Sequence, residues 1–250
     1  MKSKTNKVIS TIVLIILISI MIFSGMKIYK WLKENRQNSN IRKEISNSVI
    51  IDENIDTIDK YSIDFVNLKQ TNPDTIAWVK VKGTEIEYPI VKAKNNEYYL
   101  THSFDKSYNT AGWIFMDYKN KLDGTDKNIV IYGHNRKNGS MFASLKNVLT
   151  KEWQEIQENH KIPFITENEK AEYQVFSVYK IEDEDYYITT EFKNETEFQT
   201  FINKIKSRSV KDFGVEVNTE DQILTLSTCA DNNNYRVVLH AKKIIEERSE

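Results

Sequence analysis

Three observations predict a mainly β fold, a closed or nearly closed barrel with helices added to it. From Thr75 onward, seven short runs rich in β-branched and aromatic residues follow one another, TIAWVKV, TEIEYPIV, AGWIFMD, NIVIYGH, AEYQVFSVYKI, QILTLST and YRVVLHAKK, divided by turn residues. Two stretches of helical spacing interrupt these runs. Strands of this number and spacing are accommodated by a barrel whose connections carry the helices.

The composition agrees. At 250 residues, 40% apolar and 28% charged, the chain can bury one substantial core. Thirty-five Lys and Arg against thirty-six Asp and Glu leave a formal net charge of -1, so no global basic field exists to hold a nucleic acid. Glycine-rich phosphate loops are absent, a single cysteine rules out an intrachain disulfide or a cysteine-rich zinc site, and no metal-ligand spacing occurs. No cofactor and no metal are expected.

Taken in order, residues 1–7 are a short charged N-terminus and residues 8–26, flanked by Lys7 and Lys27, are an uncharged apolar stretch. At 1.5 Å per residue it approaches the roughly 30 Å hydrocarbon core of a bilayer. It exceeds the roughly 7 to 15 apolar residues of a cleaved signal, and no small-x-small site follows, so an uncleaved anchor is expected. Lysines precede the span (Lys2, Lys4, Lys7) and basic residues follow it (Lys27, Lys30, Lys33, Arg36), so charge alone does not set its orientation. Residues 27–61 read as a helical stalk, and the globular domain as 62–245 with a polar tail at 246–250. Ile63, Phe65, Val66 and Leu68 are expected on one helical face, closed by an Asn72-Pro73-Asp74 turn. Of the two helical stretches inside the strand region, one runs from Ser140 to about Glu158 with Phe142, Leu145, Leu149, Trp153 and Ile156 inward. The other runs from Glu195 to about Lys206 with Phe198, Phe201, Ile202 and Ile205 inward.

Three strand ends carry candidate chemistry. Cys229 ends the run QILTLSTC and His134 ends NIVIYGH, each facing a polar loop, and Arg236 opens the next strand. A cysteine nucleophile needs a base or cation to populate its thiolate and a group to stabilise an oxyanion, roles that His134 and Arg236 suit. A lone cysteine equally describes a small packing residue, which leaves open a tethered barrel that binds without catalysis. His102 lies in a polar loop, His160 at a helix end, and His240 shares a strand face with Arg236 and Val238 as a structural residue. The acidic clusters EDEDY and EERSE read as solvated.

TLSTC at Thr225 to Cys229, YRVVLHAK from Tyr235 and YGHN at Tyr132 to Asn135 together resemble the sortases, cysteine transpeptidases of Gram-positive surfaces. NPDTIAWVKVKGTEIEYPIV, NNEYYL, GSMFASL and the helix near Glu195 resemble class B in particular, over about Ser62 to Lys243. The resemblance implies a closed barrel of about eight strands with N-terminal helices and a helix in a late strand connection. It implies Cys229 as nucleophile, His134 as general acid/base and Arg236 as oxyanion or carbonyl stabiliser, with Asn96, Leu100, Tyr132 and Ser227 along the peptide groove. Asp231 matches an acid near the cysteine of some relatives and reads here as a solvated loop residue. The implied reaction cuts an NPxTx-like signal after threonine. The implied partners are surface proteins bearing a C-terminal sorting signal and a peptidoglycan precursor or stem-peptide amine, met by a single-pass enzyme outside the plasma membrane with its N-terminus cytoplasmic. An L,D-transpeptidase, another cell-wall cysteine acyltransferase, would carry His-Gly before the cysteine, where this chain has Ser227-Thr228.

Overall fold

The computed structural model describes residues 2–182, 184–228 and 235–248, with side chains over 6–182, 184–228 and 235–244. The chain divides into two compact units, Met1–Asn40 and Ile41–Glu250. The first is helix α1, Lys2–Ile45, up to Asn40. This helix is long and apolar enough to cross a membrane, and its large apolar side chains from Val8 to Met26 are all exposed, a surface that suits hydrocarbon better than water.

The second unit opens with the last turn of α1, where Ile41 and Ile45 join the core. In place of further stalk, the β-branched run Val49–Ile51 forms β1 and pairs antiparallel with β2, Tyr61–Ile63. Helix α2, Phe65–Thr71, is capped by Asp64, whose carboxylate accepts from the Asn67 N–H at 2.9 Å. It buries Phe65 and Leu68, three positions apart, but Val66 is 71% exposed and Ile63 belongs to β2, so the expected four-residue face is corrected to two. The Asn72-Pro73-Asp74 turn forms, with Asn72 Oδ1 accepting from the Asp74 N–H at 2.9 Å.

Then come β3 (Thr75–Val81), β4 (Ile86–Val91), β5 (Phe115–Met116), β6 (Asn128–Gly133), α3 (Lys151–Glu155), β7 (Lys161–Thr166), β8 (Glu169–Glu182), α4 (Glu195–Ser207), β9 (Ile223–Thr228) and β10 (Tyr235–Arg248). The strands close into a barrel in the order β10-β8-β7-β3-β4-β5-β6-β9, with β9 pairing back to β10. The β4–β5 and β6–β9 pairs are parallel. All seven expected runs contribute. The eighth barrel strand, β7, was not among them because Pro163 interrupts its pattern. Its ladder to β3 covers Phe164 to Thr166 and stops short of the proline, which has no N–H to give.

The expected helix from Ser140 to Glu158 is corrected to three short pieces: 3-10 turns at Ala143–Leu149 and Gln157–His160 on either side of α3. Thr150 and Ile156 take extended backbone angles, and the Thr150 hydroxyl caps α3 by accepting from the Trp153 N–H at 3.3 Å. Phe142, Leu145 and Trp153 still reach the core, whereas Ile156 is 49% exposed.

Two apolar clusters result. Inward residues of the strands, such as Leu224, Leu226, Val237 and Leu239, fill the barrel. On the outer face of β8, β10 and β9, the side chains of Phe176, Tyr179, Ile223 and Val238 meet Phe198, Phe201, Ile202 and Ile205 of α4. Asn194 caps α4 through a bond from the Glu197 N–H at 2.9 Å. A bulge in β8 opposite the His240/Ala241 step lets Val175 and Val178 face inward while Phe176 and Tyr179 face α4.

Candidate active site

Strands β6 and β9 run parallel in register, and their last residues, Gly133 and Thr228, are partners. His134 therefore leaves the barrel at the rim where Thr228 ends. Cys229 and Asp231 lie outside the described residues. Gly133 is required by packing, since a Cβ there would stand 2.5 Å from Ile114 Cδ1 and 2.6 Å from Phe142 Cγ. The Phe142 N–H donates to the His134 carbonyl at 2.9 Å, turning the intervening loop back on the rim.

The His134 ring is half-buried, with Nε2 2.8 Å from the Leu100 carbonyl oxygen. Burial holds its pKa below the usual histidine value, opposed by the Leu100 carbonyl and aided by nearby Arg136. Arg236, second residue of β10, pairs with Ile181 of β8 and alternates with inward-facing Val237, placing it on the outer face with Val238.

Of the expected groove residues, Leu100 meets His134 through its carbonyl. Tyr132 and Asn96 are brought together by a residue that sequence reasoning missed, Asp117. The Asp117 Oδ2 accepts from the Tyr132 hydroxyl at 2.8 Å and from the Asn96 Nδ2 at 2.8 Å, while Asn96 Oδ1 accepts from the Tyr118 N–H at 2.9 Å. Asp117 is 4% exposed, and its Oδ1 also accepts from the Lys119 N–H. An acid at the end of the apolar run AGWIFMD was the available signal. Ser227 pairs with Tyr132 across β9 and β6, is fully buried, and its hydroxyl lies 3.0 Å from that of Tyr187.

The other histidines take structural places. His102 stacks on Tyr98 with ring centroids 4.0 Å apart, and its Nδ1 contacts the Tyr98 carbonyl at 2.8 Å. His160 is buried beside Trp153 and Phe213, and burial lowers its pKa. His240 is fully buried against α4, and burial depresses it to about 3. Its tautomer follows from its neighbours. Asn128 Nδ2 donates to the carbonyls of Tyr187 and Thr189, so Asn128 Oδ1 accepts from the Thr225 hydroxyl at 2.6 Å. His240 Nδ1–H must then donate to Thr225 Oγ1 at 2.8 Å, and Nε2 accepts from the Tyr179 hydroxyl at 2.9 Å. Among the described residues, no three His, Cys, Asp or Glu side chains assemble as a metal site.

The closed eight-stranded barrel is shared with known proteins. Residues 79–244 match the sortase domain family. Sortase B of Listeria monocytogenes is 35% identical over 234 residues, 92% of this chain and 94% of that protein. The crystal structure of sortase B from B. anthracis superposes with a TM-score of 0.74 at 35% identity, covering 85% of this chain and 99% of that one. A structure of Clostridium perfringens sortase B gives 0.68 at 38% identity, covering 73% and 100%. The chain belongs to the sortase family, the cysteine transpeptidases of the cell surface, which act on surface proteins and a cell-wall amine. Within it, the chain is a class B member.

Proposed function

We propose that the chain is a membrane-anchored class B sortase that cuts an NPxTx-like sorting signal after its threonine and joins the protein to a peptidoglycan stem or cross-bridge amine. Cys229 attacks the threonine carbonyl, Arg236 stabilises the oxyanion, and His134 donates a proton to the departing amine. The thioacyl enzyme is then resolved when an incoming amine attacks and His134 takes its proton. Unperturbed pKa values of about 6.5 and 8.5 make imidazolium beside thiolate a minority pairing near neutrality, and a guanidinium favours the thiolate without itself titrating. Asn96, Leu100, Tyr132 and Ser227 belong to the groove region, Ser227 from beneath it. Residues 8–26 anchor the enzyme with residues 1–7 in the cytoplasm and the 62–245 domain outside, which raises its effective concentration beside membrane-held substrate and lipid-linked acceptor.

The observation that supports this reading is the parallel pairing of Gly133 with Thr228, the residues that precede His134 and Cys229 in the sequence, at the ends of β6 and β9. The test is the full chain in detergent micelles with quenched peptides carrying NPQTN, NPxTG, SPxTG and LPxTG, followed by intact mass. Cleavage after threonine with an acyl adduct on Cys229 is expected. A folded protein whose thiol alkylates but which cuts no peptide and forms no adduct would refute the reading. Protease added to intact cells should degrade the barrel domain, and protection would reverse the orientation.

A further inference from the structure

The surroundings of His134 specify which of its two nitrogens can do chemistry. A carbonyl oxygen can only accept, so the ring nitrogen 2.8 Å from the Leu100 oxygen must carry a hydrogen. That holds for neutral imidazole and imidazolium alike. The carbonyl is itself held firmly. Its neighbour Tyr99 is fully buried, donates its hydroxyl to Asp74 Oδ2 at 2.7 Å, receives the Asn72 Nδ2 at 2.9 Å, and accepts from the Trp113 N–H at its own carbonyl.

Gly112 lies along the same Cδ2–Nε2 edge of the ring. Its φ is +60°, and a Cβ there would stand 2.9 Å from His134 Cδ2 and 2.9 Å from the Leu100 oxygen, and would collide with the Tyr99 oxygen. The imidazole thus lies against a bare backbone that a side chain would fill. Among the described residues, nothing hydrogen-bonds to Nδ1.

We propose that Gly112 and the Leu100 carbonyl form a cradle that keeps a proton on Nε2 of His134 throughout the reaction, so that Nδ1 is the nitrogen that gives and takes the catalytic proton. This rests on His134 being the general acid/base. In acylation, the sulfur–carbon bond forms, the amide C–N bond breaks with its electron pair going to nitrogen, and the Nδ1 proton moves to that nitrogen. The ring is left as the neutral Nε2–H tautomer. In resolution, the attacking amine forms the new C–N bond, the C–S pair returns to sulfur, and the amine proton passes to Nδ1. Leu100 and Gly112 are positioning residues in this scheme.

The test is side-chain nitrogen NMR of the full chain in detergent with labelled histidine, each signal assigned by substitution. His134 is expected as neutral Nε2–H with Nδ1 unprotonated, while His240 in the same spectrum shows the reverse tautomer as an internal reference. Neutral Nδ1–H at His134 would overturn the proposal. Gly112→Ala should lower kcat by about a hundredfold with KM little changed and perturb the His134 signals, since a displacement near 1 Å is enough for such a loss. A folded Gly112→Ala enzyme with wild-type kcat and unaltered His134 signals would also overturn it, and if that variant does not fold the wild-type tautomer decides alone. The two ideas separate through His134→Gln. Normal cleavage by that variant, with the Nε2–H tautomer confirmed in the parent, removes the catalytic role and leaves the cradle.

Discussion

Acid should destabilise this barrel through His240, and the size of the effect follows from its burial. The native ring is neutral with a pKa of about 3, against about 6.5 for a solvated histidine. Because the folded value is depressed, the unfolded chain binds a proton that the native state refuses. Stability is therefore complete above pH 6.5 and is lost as pH falls below it, at up to about 1.4 kcal/mol per pH unit. From pH 7.5 to 4.5 the loss from this one group comes to about 2.7 kcal/mol. His134, His160 and the carboxyls of Asp52 and Asp123 are depressed in the same direction, so the total pH dependence does not isolate the residue.

A difference measurement does. His240→Asn keeps a donor toward Thr225 but removes the ring packed on Phe176, Tyr179 and Phe201 and the acceptor for the Tyr179 hydroxyl, a cost of about 2–4 kcal/mol at pH 7.5. Having no titrating ring, the variant escapes the acid loss, so its deficit should shrink by about 2.7 kcal/mol at pH 4.5. Urea unfolding of both proteins, followed by fluorescence of the buried Trp78, Trp113 and Trp153, reads the two curves. Parallel stability–pH curves would show that His240 is protonated in the native state or stays neutral in the unfolded one, and would refute the reasoning.

Other expectations are more direct. Cys229→Ala should abolish peptide cleavage, and Arg236→Lys should cut kcat/KM by about a hundredfold because a point ammonium does not reproduce the planar fork; steady-state kinetics checks both. Asp117→Ala removes the acceptor shared by Tyr132 and Asn96, so it should cost about 1–3 kcal/mol in urea unfolding and raise KM for the signal peptide. Gly133→Ala inserts a methyl against Ile114 and Phe142 and should cost about 1–3 kcal/mol, seen as a lowered Tm. The full chain should partition into the detergent phase of a cloud-point separation, and a chain lacking residues 1–26 into the aqueous phase.

The placement of His240 shows how far sequence alone reaches. Its alternation with Val238 correctly put it on one face of β10 as a structural residue, but the face acquires meaning from α4, which arrives from elsewhere in the chain. Asp117 was overlooked for the same reason. Its partners Asn96 and Tyr132 are 21 and 15 residues away, and no local pattern marks the meeting. The break at Thr150 and the strand at Pro163 were missed where a long helical periodicity and a proline outweighed short β-branched signals.

By itself, the sequence determined the apolar span, the alternation of strands with helices, and which residue types could carry acyl transfer. These are properties of side chains two to four positions apart, and such spacing is written locally. Tertiary structure decided that β6 and β9 lie parallel with Gly133 beside Thr228, that Asp117 joins Asn96 to Tyr132, and that Leu100 occupies one nitrogen of His134. Those outcomes depend on sheet closure and on the direction of single hydrogen bonds between distant segments, which leave no periodic trace in the chain.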